Sequence, residues 1–441
     1  MDELSTPTPT PAVLSPSLQA IASCVSGYDP KSLPVEQARD FIARLVPRVA
    51  AVEKLTLHAA LGRVLAFDVV SPIDVPAHDN SAMDGYALRG TDLAAHGDTV
   101  LQLAGSTAFA GSAAPGGELA AGRCVRIMTG AVMPAGLDTV VPQEFVTLDG
   151  ARVTIPAGVV RTGDNRRLAG EDLARGEIAL ARGRVLRPAD LGLIASLGQA
   201  EVPAFRQLRV AFFSTGDELR SIGEPLPAGC VYDSNRYTLW GMLVRLGALP
   251  IDLGVVPDDP AALTAAFRAA ARDADAVITS GGVSVGEADH TKQVMASLGD
   301  VLFWRIAMRP GRPMAIGRIE SEGHAAILFG LPGNPVAVMV TFYALVRDAL
   351  LAMSGATPQP LPMLRAASVA PIRKKPGRTE YQRGIVERNA AGDLQVRITG
   401  SQGSGILRSM SEANGLVVLH HAQGDVAVGE SVDVLMFDGL V

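Results

Sequence analysis

Apolar residues recur at Val35, Ala38, Phe41, Ile42 and Leu45, the spacing of one helix face, and Pro34 suits a first turn. On that pattern residues 31–66 read as helical. From Val69 to about Arg166 the texture changes to short Val- and Thr-containing runs divided by Gly, Pro and Asp. Arg123-Cys124-Val125-Arg126-Ile127-Met128, Asp138-Thr139-Val140-Val141 and Arg152-Val153-Thr154-Ile155 are typical, and they predict a mostly β module. A second helical stretch follows at 188–197. The simplest geometry inserts the β module, 71–166, between two pieces of one elongated helical domain, 18–70 and 167–207.

From Leu208 the pattern alternates. Strand-length apolar runs at 208–214, 250–256, 274–280 and 301–306 are separated by helix-like runs at 235–246, 260–272 and 291–298. Such alternation predicts a parallel sheet covered on both faces, a doubly wound three-layer α/β domain over 208–358. Helix-start signals agree: Asp233 and Ser234 before the first, Asp258 or Asp259 with Pro260 before the second, Asp289 before the third. Beyond Gly355, Pro358, Pro360 and Pro362 mark a linker. Residues 359–441 then return to β texture, as in Leu416-Val417-Val418-Leu419, and are expected to form a C-terminal β domain. No internal repeat is present. The fold class expected is multidomain α/β plus β.

Composition narrows the function. A chain of 441 residues is too long for one ordinary core, and 48% hydrophobic with 19% charged residues is a globular balance. A net charge of −6 leaves no basic excess for general nucleic-acid binding, so any bound anion must meet a local cluster of cations. Cys24, Cys124 and Cys230 lie far apart without a CxxC pair, which indicates buried free thiols rather than disulfides or a zinc ribbon. The Pro- and Thr-rich residues 1–17 lack an apolar h-region and read as a disordered extension. An uncharged run at 325–346 is long enough to span a bilayer, but Leu331-Pro332-Gly333-Asn334-Pro335 interrupts it. It is better split into a strand at 326–329 and a helix from near Pro335. A cytoplasmic protein with no membrane contact is expected.

Polar residues collect where the expected strands end. Ser214-Thr215-Gly216-Asp217-Glu218 follows the first strand, Pro257-Asp258-Asp259 the second, and Ser280-Gly281-Gly282-Val283-Ser284 the third, with Asp289 shortly after. In a doubly wound sheet these points share the ligand-binding edge. Glu218, Asp258 and Asp289 could converge there as hard oxygen ligands for Mg²⁺ shared with a phosphate, although helix capping explains either aspartate alone. The Gly281-Gly282 turn suits an anion but equally a tight turn, and no GxxxxGK[ST] is present. Arg305, Arg309 and Arg312 fall within eight residues beside Trp304, Met308, Pro310 and Pro313, which supplies the cation cluster that composition demands. Leu331-Pro332-Gly333-Asn334-Pro335 makes another strand-to-helix turn at the same edge. In the β module, Asp79-Asn80-Ser81-Ala82-Met83-Asp84-Gly85-Tyr86-Ala87 is richer in polar groups than a connection needs, although Asp84-Gly85 alone is a good hairpin turn. Ile127-Met128-Thr129-Gly130 has the same two readings.

Taken together, DVPAHDNSAMDGYAL, GRCVRIMTGAVMP, RRLAGEDL, FFSTGDEL, VYDSNRYTL, TSGGVSVGEADHTK, MRPGRP, LPGNPVAVMVTFY, YQRG and GSQGSG resemble the MoeA family, the molybdopterin molybdenumtransferases related to the gephyrin E domain. The matching stretches run from about Ile73 to Gly405. The resemblance implies a MogA-like α/β domain and a homodimer that inserts molybdenum from molybdate into adenylated molybdopterin. Mg²⁺ is required, AMP is released, and contacts with other molybdenum-cofactor biosynthesis proteins are implied. It implies catalytic roles for Glu218, Asp289, Asp84, Thr129 and Asp172, with Glu218, Asp258 and Asp289 around the metal. Substrate and anion binding would fall to Ser280, Gly281, Gly282, Ser284, Arg305, Arg309, Arg312, Pro332, Gly333, Asn334, Pro335, Arg383 and Ser404. The resemblance further implies that each site is shared, with Asp84 and Thr129 acting in trans. Arg305 and Arg309 stand where several relatives carry Lys. His78 and His290 also depart from the family pattern and receive no role.

Two rival functions remain at this level. One is a molybdopterin adenylyltransferase, since the α/β domain alone resembles that family. The other is a non-catalytic dimeric scaffold of the E-domain kind. The acids and arginines at the strand edge favour catalysis over the scaffold, and the additional helical and β modules argue against the adenylyltransferase.

Overall fold

The computed structural model describes residues 17–438 except 26, 115, 116, 118 and 284–288, with Asp289 described in its backbone only. Residues 1–16 of the expected extension, and Ser284, therefore lie outside the described residues. The chain divides into two compact units, one of 54–61 with 67–203, the other made of the remainder.

In the larger unit a six-stranded sheet runs in the order Leu249–Val256, Arg209–Thr215, Ala276–Ser280, His324–Leu331, Pro313–Ser321, Gly299–Arg305. The first four are parallel neighbours. The sheet as a whole is mixed, not the parallel sheet expected, because Pro313–Ser321 runs antiparallel between His324–Leu331 and Gly299–Arg305. Its cause is local: Ser321 pairs with His324 across Glu322 and Gly323, which have φ of 50° and 79°. Two positive φ angles make the tight turn that suits an antiparallel hairpin. Two reversals restore the strand direction, so Gly299–Arg305 still ends at the edge where the parallel strands end.

Successive strand residues point to opposite faces. Val210, Phe212 and Ile278 enter one core with Leu239, Leu243 and Val338, while Ala211, Phe213 and Val277 enter a second with Leu263, Phe267 and Met295. Helices thus cover both faces, as a doubly wound domain requires. Phe267 meets Phe213 edge to face at 5.1 Å, and truncating it to Ala should cost about 3–5 kcal/mol. The helices Leu18–Cys24 and Val35–Leu45 bury Leu18, Ile21, Ala38 and Phe41 in the first core. Helix does not extend over 31–66: after Leu45 the Val46-Pro47 pair disfavours helix, Val52–Thr56 is a strand, and only Leu57–Ala60 turns helical again. The apolar helical run Pro335–Met353 is 19 residues long and 78% buried, and it forms core.

A five-stranded barrel closes the same unit. Thr379–Arg388 pairs with both Leu394–Ile398 and Gly415–Leu419, and Leu364–Ser368 with Ser431–Met436 completes the ring around Val396, Val417, Leu419 and Val434. The short strand Met308–Arg309 adds in parallel to Thr379 and Glu380, which fastens the arginine-rich segment to the barrel.

The second unit holds a six-stranded sheet, in the order Thr139–Pro142, Gly85–Leu88, Arg123–Ile127, Thr99–Ala108, Arg152–Ile155, Thr147–Asp149, and the helix Pro188–Ser196. Its two cores are centred on Val125, Ile127 and Val140 and on Tyr86, Leu101 and Val153. All three cysteines are free, but only Cys124 is buried; Cys24 is exposed and Cys230 half-buried. Burial pushes the Cys124 thiol up to about 12, so it is inert packing.

Candidate active site

The carboxyl edge of the parallel strands is drawn together by glycine. Gly281 and Gly282 have φ of 102° and 71°, and a β-carbon on either would collide with Thr215 or Thr291. Only glycine lets this turn lie so close to its neighbours. The Gly281 N–H donates to Leu331 O at 3.1 Å, and a β-carbon on Gly333 would sit 3.7 Å from the Gly281 Cα. Two of the expected anion turns are therefore one continuous surface.

Acids line the other side of that edge. Asp259 caps the helix Pro260–Asp273 by accepting the Ala262 N–H at 2.9 Å, which releases Asp258 from capping. Asp258 instead accepts the Thr291 hydroxyl at 3.0 Å, and its N–H donates to Asp217 at 3.3 Å. Glu218 is exposed and folds back over Gly216, close enough that a β-carbon there would meet it at 2.6 Å. Asp217 belongs to this acidic edge and was not singled out from sequence. Among the described residues no cluster of three metal-ligating side chains is already closed. Glu218 and Asp258 are nonetheless carboxylates at neighbouring strand ends, the hard-oxygen donors that Mg²⁺ takes. The side chain of Asp289, the third expected ligand, is outside the described residues.

Beside the acids lies a cleft of about 480 Å³ lined by Arg309, Pro310, Gly311, Pro332, Gly333, Asn334, Gln402 and Ser404, among others. Its walls are rigid for identifiable reasons. Arg305 N–H donates to Pro30 O, Ala307 N–H to Leu33 O, and Thr379 N–H to Ala307 O, so the arginine segment is held from two sides. Trp304, just before it, donates its indole N–H to the Tyr28 hydroxyl at 2.8 Å and meets Phe41 edge to face. The Val336 N–H donates to Ser404 O at 3.0 Å and ties the helix start to the 401–404 loop. Pro335 has no N–H and that of Val336 is spent on Ser404, so the charged donor lining the cleft is Arg309.

Arg383 supports that loop from below. It is 1% exposed, donates Nε to Ser409 at 2.9 Å and Nη2 to Gly403 O at 2.9 Å, while its N–H donates to Gln402. Burial first, and then the charge of Arg309, hold its guanidinium down to about 10. Two cations are thus close together. The backbone neighbour of Arg309, Glu380, is occupied by Arg378 at 2.7 Å and Gln382 at 3.1 Å. Among the described residues Arg309 has no carboxylate partner. An exposed arginine beside a buried one, with the nearby acid taken, is a site that wants an anion.

Arg309, Pro332, Gly333, Asn334 and Ser404 are therefore brought together, with Arg383 beneath and Ser280–Gly282 alongside. Arg305 and Arg312 are exposed near the same edge but do not line the cleft. In the second unit the structure joins Asp84 and Thr129. Asp84 Oδ1 accepts both the Thr129 N–H at 2.7 Å and its hydroxyl at 2.6 Å. Those two bonds, the hydroxyl's first, hold the Asp84 carboxyl below its ordinary value of 3.8. Asp172 is exposed in a separate turn whose N–H donates to Val75 O.

A mixed α/β sheet whose carboxyl edge carries acids and, among the described residues, an arginine without a carboxylate partner, in one unit with a β-barrel, is an arrangement suited to anionic ligands. The chain matches the MoeA N-terminal region (domain I and II) over residues 33–198, the probable molybdopterin binding domain over 211–352, and the MoeA C-terminal region (domain IV) over 365–437. It is 42% identical to a molybdopterin molybdenumtransferase of Haemophilus influenzae, over 93% of this chain and all of that one. It is 31% identical to the Bacillus subtilis protein of the same name, over 92% and 94%. Among solved structures, a molybdopterin biosynthesis MoeA protein of Pyrococcus horikoshii superposes with a TM-score of 0.79 at 28% identity, covering 92% of this chain and 100% of that one. This chain belongs to the MoeA family of molybdopterin molybdenumtransferases, which are transferase enzymes.

Proposed function

We propose that this enzyme inserts molybdenum from molybdate into adenylated molybdopterin, with release of AMP. The observation that carries the reading is Arg309, exposed in the cleft, without a carboxylate partner among the described residues, and backed by the buried Arg383. Molybdate and phosphate are both tetrahedral dianions, so one guanidinium and the adjoining amide turns can hold either group. Arg305 and Arg312 act as outer cations that draw the substrate to the edge.

Glu218, Asp258 and Asp289 would hold Mg²⁺, which when bound supplies neutralising charge to the pyrophosphate. The chain's own groups do the rest. The amides that follow Gly281 and Gly333 fix oxyanions in a site built before substrate arrives. Asp84 stays ionised, so it serves as an acceptor or a base rather than an acid. The Thr129 hydroxyl proton is committed to Asp84, which leaves Oγ able to act only as an acceptor toward a ligand. Such a pair suits the N–H-rich edge of a heterocycle. Asp172, on a separate exposed turn of the same unit, is proposed as a further acid.

The reading extends to a homodimer in which Asp84 and Thr129 of one copy serve the partner's substrate. The long apolar helix is buried as core, which fits a protein without a membrane span, and cytoplasmic placement is part of the proposed reading.

The decisive assay mixes the purified protein with adenylated molybdopterin, Mg²⁺ and molybdate. Molybdate-dependent AMP release is expected, and Glu218→Gln should abolish it with the fold intact. AMP attachment from ATP would instead indicate an adenylyltransferase, and neither activity would leave a scaffold. Mixing inactive Asp84→Asn with inactive Glu218→Gln tests the dimer: restored turnover supports a shared site, and none refutes it.

A further inference from the structure

Asn235 has no role in the reading above, yet its side chain joins the two turns that flank the cleft. It begins the helix Asn235–Arg245 and is 7% exposed. Its Nδ2 donates to Ser280 Oγ at 2.7 Å and to the Gly333 carbonyl at 2.7 Å. The amide orientation is not arbitrary. A carbonyl can only accept, so the group facing Gly333 must be the NH₂, and Oδ1 must face the other way. There it is buried without a hydrogen-bond partner among the described residues. A residue present only to fill space would not leave a buried acceptor unpaired, because that is destabilising.

The consequence lies on the far side of one peptide. In a trans peptide the C=O of one residue and the N–H of the next point in opposite directions. Holding the Gly333 carbonyl toward Asn235 therefore turns the Asn334 N–H away from it, and both Gly333 and Asn334 line the cleft with Arg309. The Asn334 N–H has no acceptor among the described residues. The same Asn235 amide group holds Ser280, which opens the adjoining glycine turn.

We infer that Asn235 is a positioning residue for the anion site: by clasping Ser280 and the Gly333 carbonyl, it aims the Asn334 backbone N–H at the oxyanion held by Arg309. The inference rests on the proposed reaction for the identity of that anion, but its test does not.

The probe is molybdate alone, titrated into the full-length protein while the Asn334 amide resonance and the dissociation constant are followed. In the wild type the Asn334 amide should shift on binding. Asn235→Asp has the same shape but cannot donate to Gly333, so affinity should fall on the order of tenfold or more and the Asn334 shift should shrink. Asn235→Ala should behave likewise, and Asn235→Ala with Ser280→Ala should be no worse than Asn235→Ala alone, since one clasp is lost in each case. In turnover, the molybdate KM should rise by that factor with kcat changed far less. Wild-type affinity in well-folded Asn235→Asp would overturn the inference. So would an affinity loss that merely follows melting temperature across the Asp, Ala and Gln variants. If wild-type protein binds molybdate but releases no AMP, the reaction reading fails and the clasp is still tested by binding.

Discussion

The cleft around Arg309 and the turn around Asp84 hold charges of opposite sign by different means. In the cleft, cations are concentrated: Arg383 is sealed beneath the 401–404 loop, and its fixed donors shape the wall on which the exposed Arg309 acts. In the turn, one anion is tuned: Asp84 stays accessible and takes two hydrogen bonds from a single residue, Thr129. The first arrangement couples function to the fold, because the buried guanidinium cannot leave without stranding the carbonyls it satisfies. The second is nearly independent of the fold. Substitutions in the two regions should therefore fail in different ways.

The largest expected effect is on stability. Arg383→Ala removes a buried, charge-assisted set of hydrogen bonds and should lower unfolding free energy by about 2–4 kcal/mol, with looser anion binding as a by-product. Arg383→Lys keeps the charge but loses the fork that reaches both Ser409 and Gly403, so it should fall between. Urea unfolding measures both. If Arg383→Ala unfolds at the wild-type midpoint, the contrast between the regions collapses.

Next in size is Arg309→Ala. Loss of a charged hydrogen-bond partner is worth about 1.5–3 kcal/mol, or roughly 10- to 100-fold in molybdate affinity. Because Arg309 is exposed and makes no ion pair among the described residues, unfolding should shift by less than about 0.5 kcal/mol. Calorimetric titration beside a melting curve separates the two quantities. A stability loss equal to that of Arg383→Ala would show that both arginines are structural.

These differences also explain what could be read from residue order alone. The strand edge was legible because apolar runs of strand length end in Gly, Ser and acidic residues, and that pattern is local. The hairpin at Glu322-Gly323 was not, because residues 313–321 follow an arginine- and proline-rich stretch that masks a strand start. Arg309 could be singled out by its neighbours. The position of Arg383 beneath the cleft could not, since it depends on barrel closure, in which Thr379–Arg388 pairs with Gly415–Leu419 and Arg383 meets Ser409 and the 401–404 loop. Asn235 was hidden by its position: next to Asp233 and Ser234 it reads as part of a helix cap, and only the distances to Ser280 and Gly333 give it another task. Capping itself was ambiguous between Asp258 and Asp259 until the Ala262 N–H chose the latter.

The smallest effect tests the tuned anion. Thr129→Val removes the hydroxyl that contributes most to keeping Asp84 ionised, while the backbone N–H of residue 129 remains. The Asp84 pKa should rise toward 3.8 without passing it by much, as read from its carboxyl resonance during a pH titration. The sign is fixed by linkage. A carboxyl whose folded pKa lies below its unfolded value adds stability that is present above the unfolded pKa and lost as pH falls through the folded one. The wild type should therefore be slightly more stable than Thr129→Val at neutral pH in global unfolding, and the gap should close as pH falls through the wild-type Asp84 pKa. Turnover should separate them far more than stability does, because the lost hydroxyl also removes that acceptor toward a ligand. An unchanged Asp84 titration in Thr129→Val would assign the lowered pKa to the backbone and to Arg126, and the pair would then be a turn rather than a tuned site.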